Sequence, residues 1–308
     1  MTSILGLHVA RGQETMKKAA EYRQAYLIGR QEHLPTDFPL AVDFEQVLSG
    51  MFVPARAYGR LRGLRSPACI VLLSQTMLLV IVHPREGGTR KIVPLHEILA
   101  IESRQVFPEG RITIRTANSV HEWPYDLHAE GYVTEFMYQL RQAVLSDGEA
   151  AQRSPDRSIF GEPLNHRFGC AESDNLDRGE PLMTRFFSAP STTIRKRWLF
   201  KIKLPVPGEY LAVTSRRVIW ITDRVDGIYE PTGIMSSYTP LRHFVGIGLH
   251  CQEKTCEMNL VFYGGVRWRV PIQPDFHDEA KSFVKQARRL LVWYEAKKRA
   301  LIGPCGKS

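Results

Sequence analysis

The sequence predicts a mainly β chain (α+β) of two tandem domains. Each is a small split barrel of short antiparallel strands closed by a C-terminal α-helix, and a short helix precedes the first. Three repeated landmarks carry this reading. Residues 71–81 (VLLSQTMLLVI) and 211–221 (LAVTSRRVIWI) are related apolar patterns, and P-L-x-x-(I/F)-x-x-I occurs at 94–101 and again at 240–247. The third, D-(L/F)-H-x-E, stands at 126–130 and 275–279, each time heading a helical pattern. Matching landmarks in one order, offset by 140 to 149 residues, mark a duplicated domain, because a solenoid repeat is far shorter. A length of 308 residues with 44% hydrophobic and 24% charged side chains suits two globular domains, each able to bury its own core.

The elements follow in order. Residues 14–32, within a lead-in spanning 1–41, place Ala19, Tyr22, Ala25 and Tyr26 on one helical stripe that ends at Leu34-Pro35. The first domain, 42–145, shows apolar or β-branched runs at 69–73, 77–82, 91–94, 98–103, 111–116 and 120–123, separated by turn signals at 85–88, 108–110 and 117–119. Val133, Phe136, Met137, Leu140 and Val144 then fall at helical spacing. Residues 146–181, rich in Gly, Pro, Asp, Ser and Asn, read as an acidic linker. The second domain, 182–296, repeats the grammar with strands near 195–204, 210–214, 218–222, 244–251, 258–263 and 266–271. Its closing helix carries Phe276, Ala280, Phe283, Ala287, Leu290, Leu291 and Tyr294 on one face, and a basic tail, 297–308, follows.

Charge is segregated along the chain. The net charge is +9; residues 185–224 hold nine Lys/Arg against two acids, whereas 147–181 hold eight acids against four arginines. Five scattered cysteines argue against a disulfide framework, and the longest apolar run, 69–82, is too short to span a bilayer. A cytoplasmic protein is expected, with peripheral membrane attachment and oligomerisation left open.

Catalytic and metal motifs are not found. Residues 303–308 (GPCGKS) imitate half of a phosphate-binding loop but lack the first glycine, the buried strand and the following helix. Asp126 and Asp275 are expected to cap helices; residues two apart on a helix diverge by about 200°, which would turn His128 and His277 from the flanking carboxylates. His250 and Cys251 would point to opposite faces of a strand, and His243 lies about 25 Å from Cys251 along it. No metal, cofactor or enzymatic activity is therefore expected.

The remaining signal is basic. On a strand 195–204, alternation places Arg195, Arg197, Lys201 and Lys203 on one face and Trp198, Phe200, Ile202 and Leu204 on the other. Arg216 and Arg217 in the next hairpin extend the stripe, and Arg56, Arg60 and Arg62 echo it in the first repeat. The 211–221 hairpin, the Pro240-Leu241-x-x-Phe244-x-x-Ile247 strand and the closing helix together resemble the GRAM and bacterial pleckstrin-homology-like superfamily. The first repeat departs from it at the hairpin, with Gln75-Thr76-Met77 in place of Ser215-Arg216-Arg217. The resemblance implies a non-enzymatic tandem scaffold whose basic strand docks a partner protein or an anionic lipid surface. Nucleic-acid binding through the same face is the alternative, as is an enzyme with an unrecognised site. The acidic linker, through Glu172, Asp174, Asp177 and Glu180, is expected either to be solvated or to fold over the basic strand.

Overall fold

The computed structural model describes residues 25–29, 33–35, 38, 43–58, 64–82, 88–106, 109–145, 166–176, 180–197, 200–225, 228–229, 233–252 and 255–302. Of the expected helix at 14–32, residues 14–24 and 30–32 lie outside them, as do Arg60 and Arg62, residues 146–165 and 177–179 of the expected linker, and the tail after 302. The chain divides into two compact units. The first runs to Ile98 and adds Phe107–Ile114 and Ser119–Asp147; the second comprises Leu99–Val106, Arg115–Asn118 and Gly148–Ser308.

In the first unit, β1 (Tyr26–Leu27), β2 (Ser49–Val53), β5 (Cys69–Leu73), β6 (Met77–Val82) and β7 (Arg90–Pro94) form an antiparallel sheet in the order β1-β2-β5-β6-β7. Between β2 and β5 the chain leaves the sheet as a separate ladder, β3 (Arg56–Tyr58) with β4 (Leu64–Ser66). Every residue of β5 is buried, because the sheet is covered on both faces. Ile70, Leu72, Leu79 and Ile81 pack on Tyr26, Ile28 and Phe38. Helix α1 (Glu130–Leu145) packs against β1 and β2, burying the expected Val133, Phe136, Met137, Leu140 and Val144. Tyr26–Leu27 is a strand and not the end of a helix: it pairs with Phe52 and Met51, and the Tyr26 ring lies 5.1 Å from that of Phe52. Pairing to a sheet edge overrides the helical spacing of two tyrosines.

The strand β8 (Ala100–Val106) belongs to the second unit, while β9 (Glu109–Arg115) and β10 (Val120–Asp126) neighbour one another. In the second unit β11 (Leu182–Ser188) is followed by an outlying ladder, β12 (Ser191–Arg197) with β13 (Phe200–Val206). Then come β14 (Glu209–Thr214), β15 (Arg217–Thr222), the short pair β16 (Arg224–Val225) and β17 (Ile228–Tyr229), and β18 (Ile234–Pro240). The main sheet runs β8-β18-β15-β14-β11, antiparallel, with Ile101 opposite Tyr238 and Gln105 opposite Ile234. A meander of β19 (Phe244–Gln252), β20 (Thr255–Phe262) and β21 (Arg267–Ile272) forms a three-stranded sheet. Gly264, at φ 69°, and Gly265, at φ 80°, turn β20 into β21 in the left-handed region that glycine tolerates.

The core of this unit joins both sheets to the last helix, α3 (His277–Ile302). Leu211, Val213, Val218 and Trp220 meet Leu260, Phe262, Trp268 and Val270, and Ala280, Phe283 and Ala287 close the helix onto them. Phe276, Leu290, Leu291 and Tyr294, also on the expected stripe, pack partly buried at its margin. The helix continues through Ile302, into what the sequence marks as a tail. Arg288 Nε donates to the carbonyl of Ile247 at 2.9 Å and pins the helix to β19.

The architecture is thus mainly β, with antiparallel sheets and closing helices. The expected barrels are not seen among the described residues: the sheets are open. The repeated landmarks do adopt the same local structure. The amides of Met77 and Arg217 donate to the hydroxyls of Ser74 and Thr214, at 3.2 and 2.9 Å. Leu95 and Leu241 then donate their amides to the carbonyls of Thr76 and Arg216, each opening a 3-10 turn after a strand-ending proline. Among the described residues, no helix is long and apolar enough to cross a membrane.

Because β8 pairs with β18, a fragment of residues 148–308 exposes the Ile234–Pro240 edge. Unpaired edges template association, so size-exclusion chromatography should show this fragment self-associating more than the full chain. A fragment no more associated than the full chain would contradict that role for β8.

Candidate functional site

The site begins with two broken ribbons. β11 and β14 are paired up to Ser188 opposite Glu209, and beyond the break the pairing resumes as Ser191 opposite Val206. Pro190 and Pro207 stand in the gap, where a residue without an N–H cannot donate to the ladder. The first unit repeats the device: Val53 pairs with Cys69, Arg56 pairs with Ser66, and Pro54 and Pro67 lie between. Each break sets a short two-stranded arm outside its parent sheet.

The base of the second arm is clamped. Gln273 Nε2 donates to the carbonyls of Ala189, at 2.9 Å, and Pro207, at 3.3 Å, while its Oε1 accepts from the Ser191 hydroxyl at 2.8 Å. The Gly208 amide donates to Asp223 Oδ1 at 2.7 Å, and its carbonyl accepts from the Thr222 hydroxyl at 3.1 Å. A Cβ at Gly208 would press on Pro190 and Phe168 at 2.8 and 2.9 Å, so glycine is required there by close approach.

The expected single strand over 195–204 is two strands of this arm. Arg197 is opposite Phe200, Lys196 opposite Lys201, Arg195 opposite Ile202 and Ile194 opposite Lys203. Paired positions share a face of an antiparallel ladder. Positions 195 and 197 therefore lie with 200 and 202, and positions 196, 201 and 203 lie with 194. The expected single face of Arg195, Arg197, Lys201 and Lys203 is divided in two, and Lys196 joins the lysine face. The arm holds five cations and no acid over 191–206. Its counterpart holds Arg56 and, outside the described residues, Arg60 and Arg62.

Arg217 stands apart from the arm. Its side chain is 1% exposed and paired with Glu180, itself 1% exposed, through two guanidinium nitrogens, Nε at 3.2 Å and Nη2. The Thr214 hydroxyl donates to Glu180 at 2.6 Å, and the Tyr238 ring lies 5.9 Å from the guanidinium carbon. Arg217 holds the protein's own carboxylate and is closed to an external anion. Arg216 is half-buried, and its amide donates to Thr214 Oγ1 at 3.2 Å.

Glu180 comes from the expected linker, which is partly an integral layer of the unit. Residues 166–175 form helix α2 (His166–Asn175), burying Phe168 and Ala171. Glu172 Oε1 accepts from the Tyr210 hydroxyl at 2.6 Å and lies 3.5 Å from Arg185 Nη1. Asn175 Nδ2 donates to the carbonyl of Ala171 at 2.5 Å and to Ser236 Oγ at 3.3 Å, and its Oδ1 accepts from Tyr238. Two of the four acids expected to be solvated or to cover the basic strand are thus docked on the sheet face.

The two histidine motifs also diverge. Asp126 caps a 3-10 turn, Leu127–Ala129, accepting from the His128 amide at 3.0 Å, and Nδ1 of His128 approaches the same carboxylate at 2.5 Å. The expected divergence of the two fails because Asp126 is extended and the following turn is not α-helical. Asp275 is not a cap: it lies inside the turn Pro274–Phe276, with Gln273 at the cap position. His277 reaches the strand instead, placing Nε2 2.9 Å from Cys251 Sγ. Cys251 is opposite Cys256 in the β19–β20 register and joined to it by a disulfide. Sequence reasoning missed this cluster, since it needs a hairpin register and a helix start at once; the Cys-x4-Cys spacing was the available signal.

Compared with known proteins, the chain matches no family model and no curated sequence.

Removing one member of a fully buried ion pair leaves the other charge uncompensated, at a cost of about 3–5 kcal/mol. Glu180→Ala and Arg217→Ala should each lose that much in urea unfolding. Glu180→Leu combined with Arg217→Met should recover most of it, since buried pairs are replaceable by apolar groups of similar size. Single losses below about 1 kcal/mol would contradict the structural role of the pair.

Proposed function

We propose that the chain is a non-enzymatic tandem scaffold of the pleckstrin-homology/GRAM-like kind, which docks through the basic arm β12–β13 onto an anionic surface, whether a membrane face or an acidic partner protein. The observation that carries this reading is the register of the arm. Position 196 is opposite 201, lysine against lysine, in a ladder of five cations and no acid. Like charges directly opposite one another destabilise a ladder, and a two-stranded ribbon is marginal by itself. An external anion relieves the first problem and a surface to lie on relieves the second. Near an anionic leaflet each cation contributes about 1 kcal/mol, which suits reversible docking.

Two further features support the reading. Glu172 and Glu180 are held on the sheet by Tyr210, Arg185, Arg217 and Thr214. Among the described residues the other buried carboxylates also have structural partners: Glu209 accepts from Trp220 Nε1 at 2.7 Å, and Asp223 holds the Gly208 amide. The finer architecture rests on the repeated strand, 3-10 turn and strand at 94–101 and 240–247, with a closing helix in each unit.

Lys201→Glu with Lys203→Glu should leave the far-ultraviolet circular dichroism unchanged. It should weaken binding to phosphatidylserine vesicles by roughly thirtyfold or more at low salt, the equivalent of losing two favourable cations. Retention of the double variant on those vesicles at native affinity would remove the arm from the docking role.

A further inference from the structure

We propose that Cys251, Cys256 and His277 are the ligands of a zinc(II) site in the dithiol form of the protein. This goes beyond the docking reading and does not depend on it. The two cysteines bracket the tip of the β19–β20 hairpin in a Cys-x4-Cys spacing, within the range zinc sites use. The register sets them directly opposite one another, with Cα atoms 4.0 Å apart. His277, the first residue of α3, brings its Nε2 to 2.9 Å from Cys251 Sγ. The three ligand atoms all lie within 4.8 Å of one another.

The ligand chemistry narrows the ion. Two thiolates and an imidazole suit zinc(II) rather than magnesium or calcium, which prefer oxygen ligands. Each ligand is carried on a regular element and not on a loose loop. Cys251 is on β19, Cys256 on β20, and α3 is tied to β19 by the Arg288 bond to the Ile247 carbonyl at 2.9 Å. Cys251 is exposed, while Cys256 and His277 are half-buried. Three protein ligands leave the fourth tetrahedral position to water, and the exposure of Cys251 lets water reach it.

The first repeat makes the comparison. It shares the D-(L/F)-H motif, but His128 turns to Asp126 and no cysteine occurs in β8, β9 or β10. The histidine reaches a ligand set only in the copy that has cysteines on the neighbouring strand.

The disulfide and the metal site are exclusive states of one pair of sulfurs. A phosphine reductant gives two electrons to the S–S bond and leaves as its oxide, water supplying the oxygen and the two thiol protons. Zinc then forms two S–Zn bonds and one N–Zn bond, and both thiol protons pass to solvent.

The test is an anaerobic titration of the full-length, phosphine-reduced, metal-free protein with cobalt(II), followed by displacement with zinc(II). The expected result is a sulfur-to-cobalt charge-transfer band that saturates at one equivalent and disappears on zinc addition. Cys251→Ser and Cys256→Ser should abolish it. His277→Ala should weaken cobalt binding by more than the roughly 10–100-fold that loss of an outer-shell partner costs. Cys170→Ser and Cys305→Ser should not change it, and the oxidised protein should show no band. Absence of the band in the reduced protein overturns the site. So does a band that survives either hairpin serine variant, is unchanged in His277→Ala, or is equally strong in the oxidised protein. Circular dichroism of each variant accompanies the titration, and a variant that loses its fold is replaced by Cys251→Ala or His277→Gln, read against the same outcomes.

Discussion

A proline cannot donate to a β ladder, and each copy of this chain places two prolines where paired strands would otherwise continue. Pro54 with Pro67, and Pro190 with Pro207, stop two ribbons in the same way. Beyond each break the strands pair again, only with each other, and the cations gather there. The parent sheets hold the buried cores, and the arms carry runs of cations beyond them. In the second copy this division depends on one side chain from the far end of the unit, because Gln273 bridges both carbonyls at the break and holds Ser191 as well. An arm so clamped has a fixed root although it lacks a third strand.

The acidic segment is the other half of the charge arrangement. Its acids and the basic stretch that follows could neutralise one another anywhere, yet Glu180 takes Arg217 and Glu172 takes Arg185 and Tyr210. These partners lie on the main sheet and not on the arm. The polar sheet face therefore needs its own cover, and the α2 segment supplies hydrogen-bond partners for Tyr210, Thr214, Ser236 and Tyr238. Buried polar groups require such partners. The segment that supplies them belongs to the unit as firmly as any strand does.

Much of this was legible in the sequence wherever periodicity reports burial. The stripes of α1 and α3 and the strands β5, β6, β14 and β15 carry continuous apolar patterns, and they fold as read. What was not legible depends on tertiary partners. Helix α2 has the polar sequence HRFGCAESDN, with few apolar positions to betray it, and is held by hydrogen bonds to the sheet. β18, IMSSYTP, is buried over most of its length but polar, because it faces that helix and pairs with β8. Between the end of β12 at Arg197 and the start of β13 at Phe200 the sequence has no glycine, proline or asparagine to mark a break. The alternation of cations and apolar residues thus read as one strand of ten. Of the candidate residues, Arg195, Arg197, Lys201 and Lys203 do fall on one arm, although not on one face, and Arg217 is a structural ligand. The cysteine and histidine cluster needs three elements to meet and carried only a spacing in the sequence.

In the proposed docking, the clamped basic arm meets the anionic surface while the acidic segment stays on the sheet. Amide hydrogen exchange of the full chain, with and without phosphatidylserine vesicles, addresses both parts at once. Docking through the arm should slow exchange over residues 191–206 on binding, with 166–188 and α3 unchanged. Protection confined to α3 or to 166–188, with none on the arm, would contradict it.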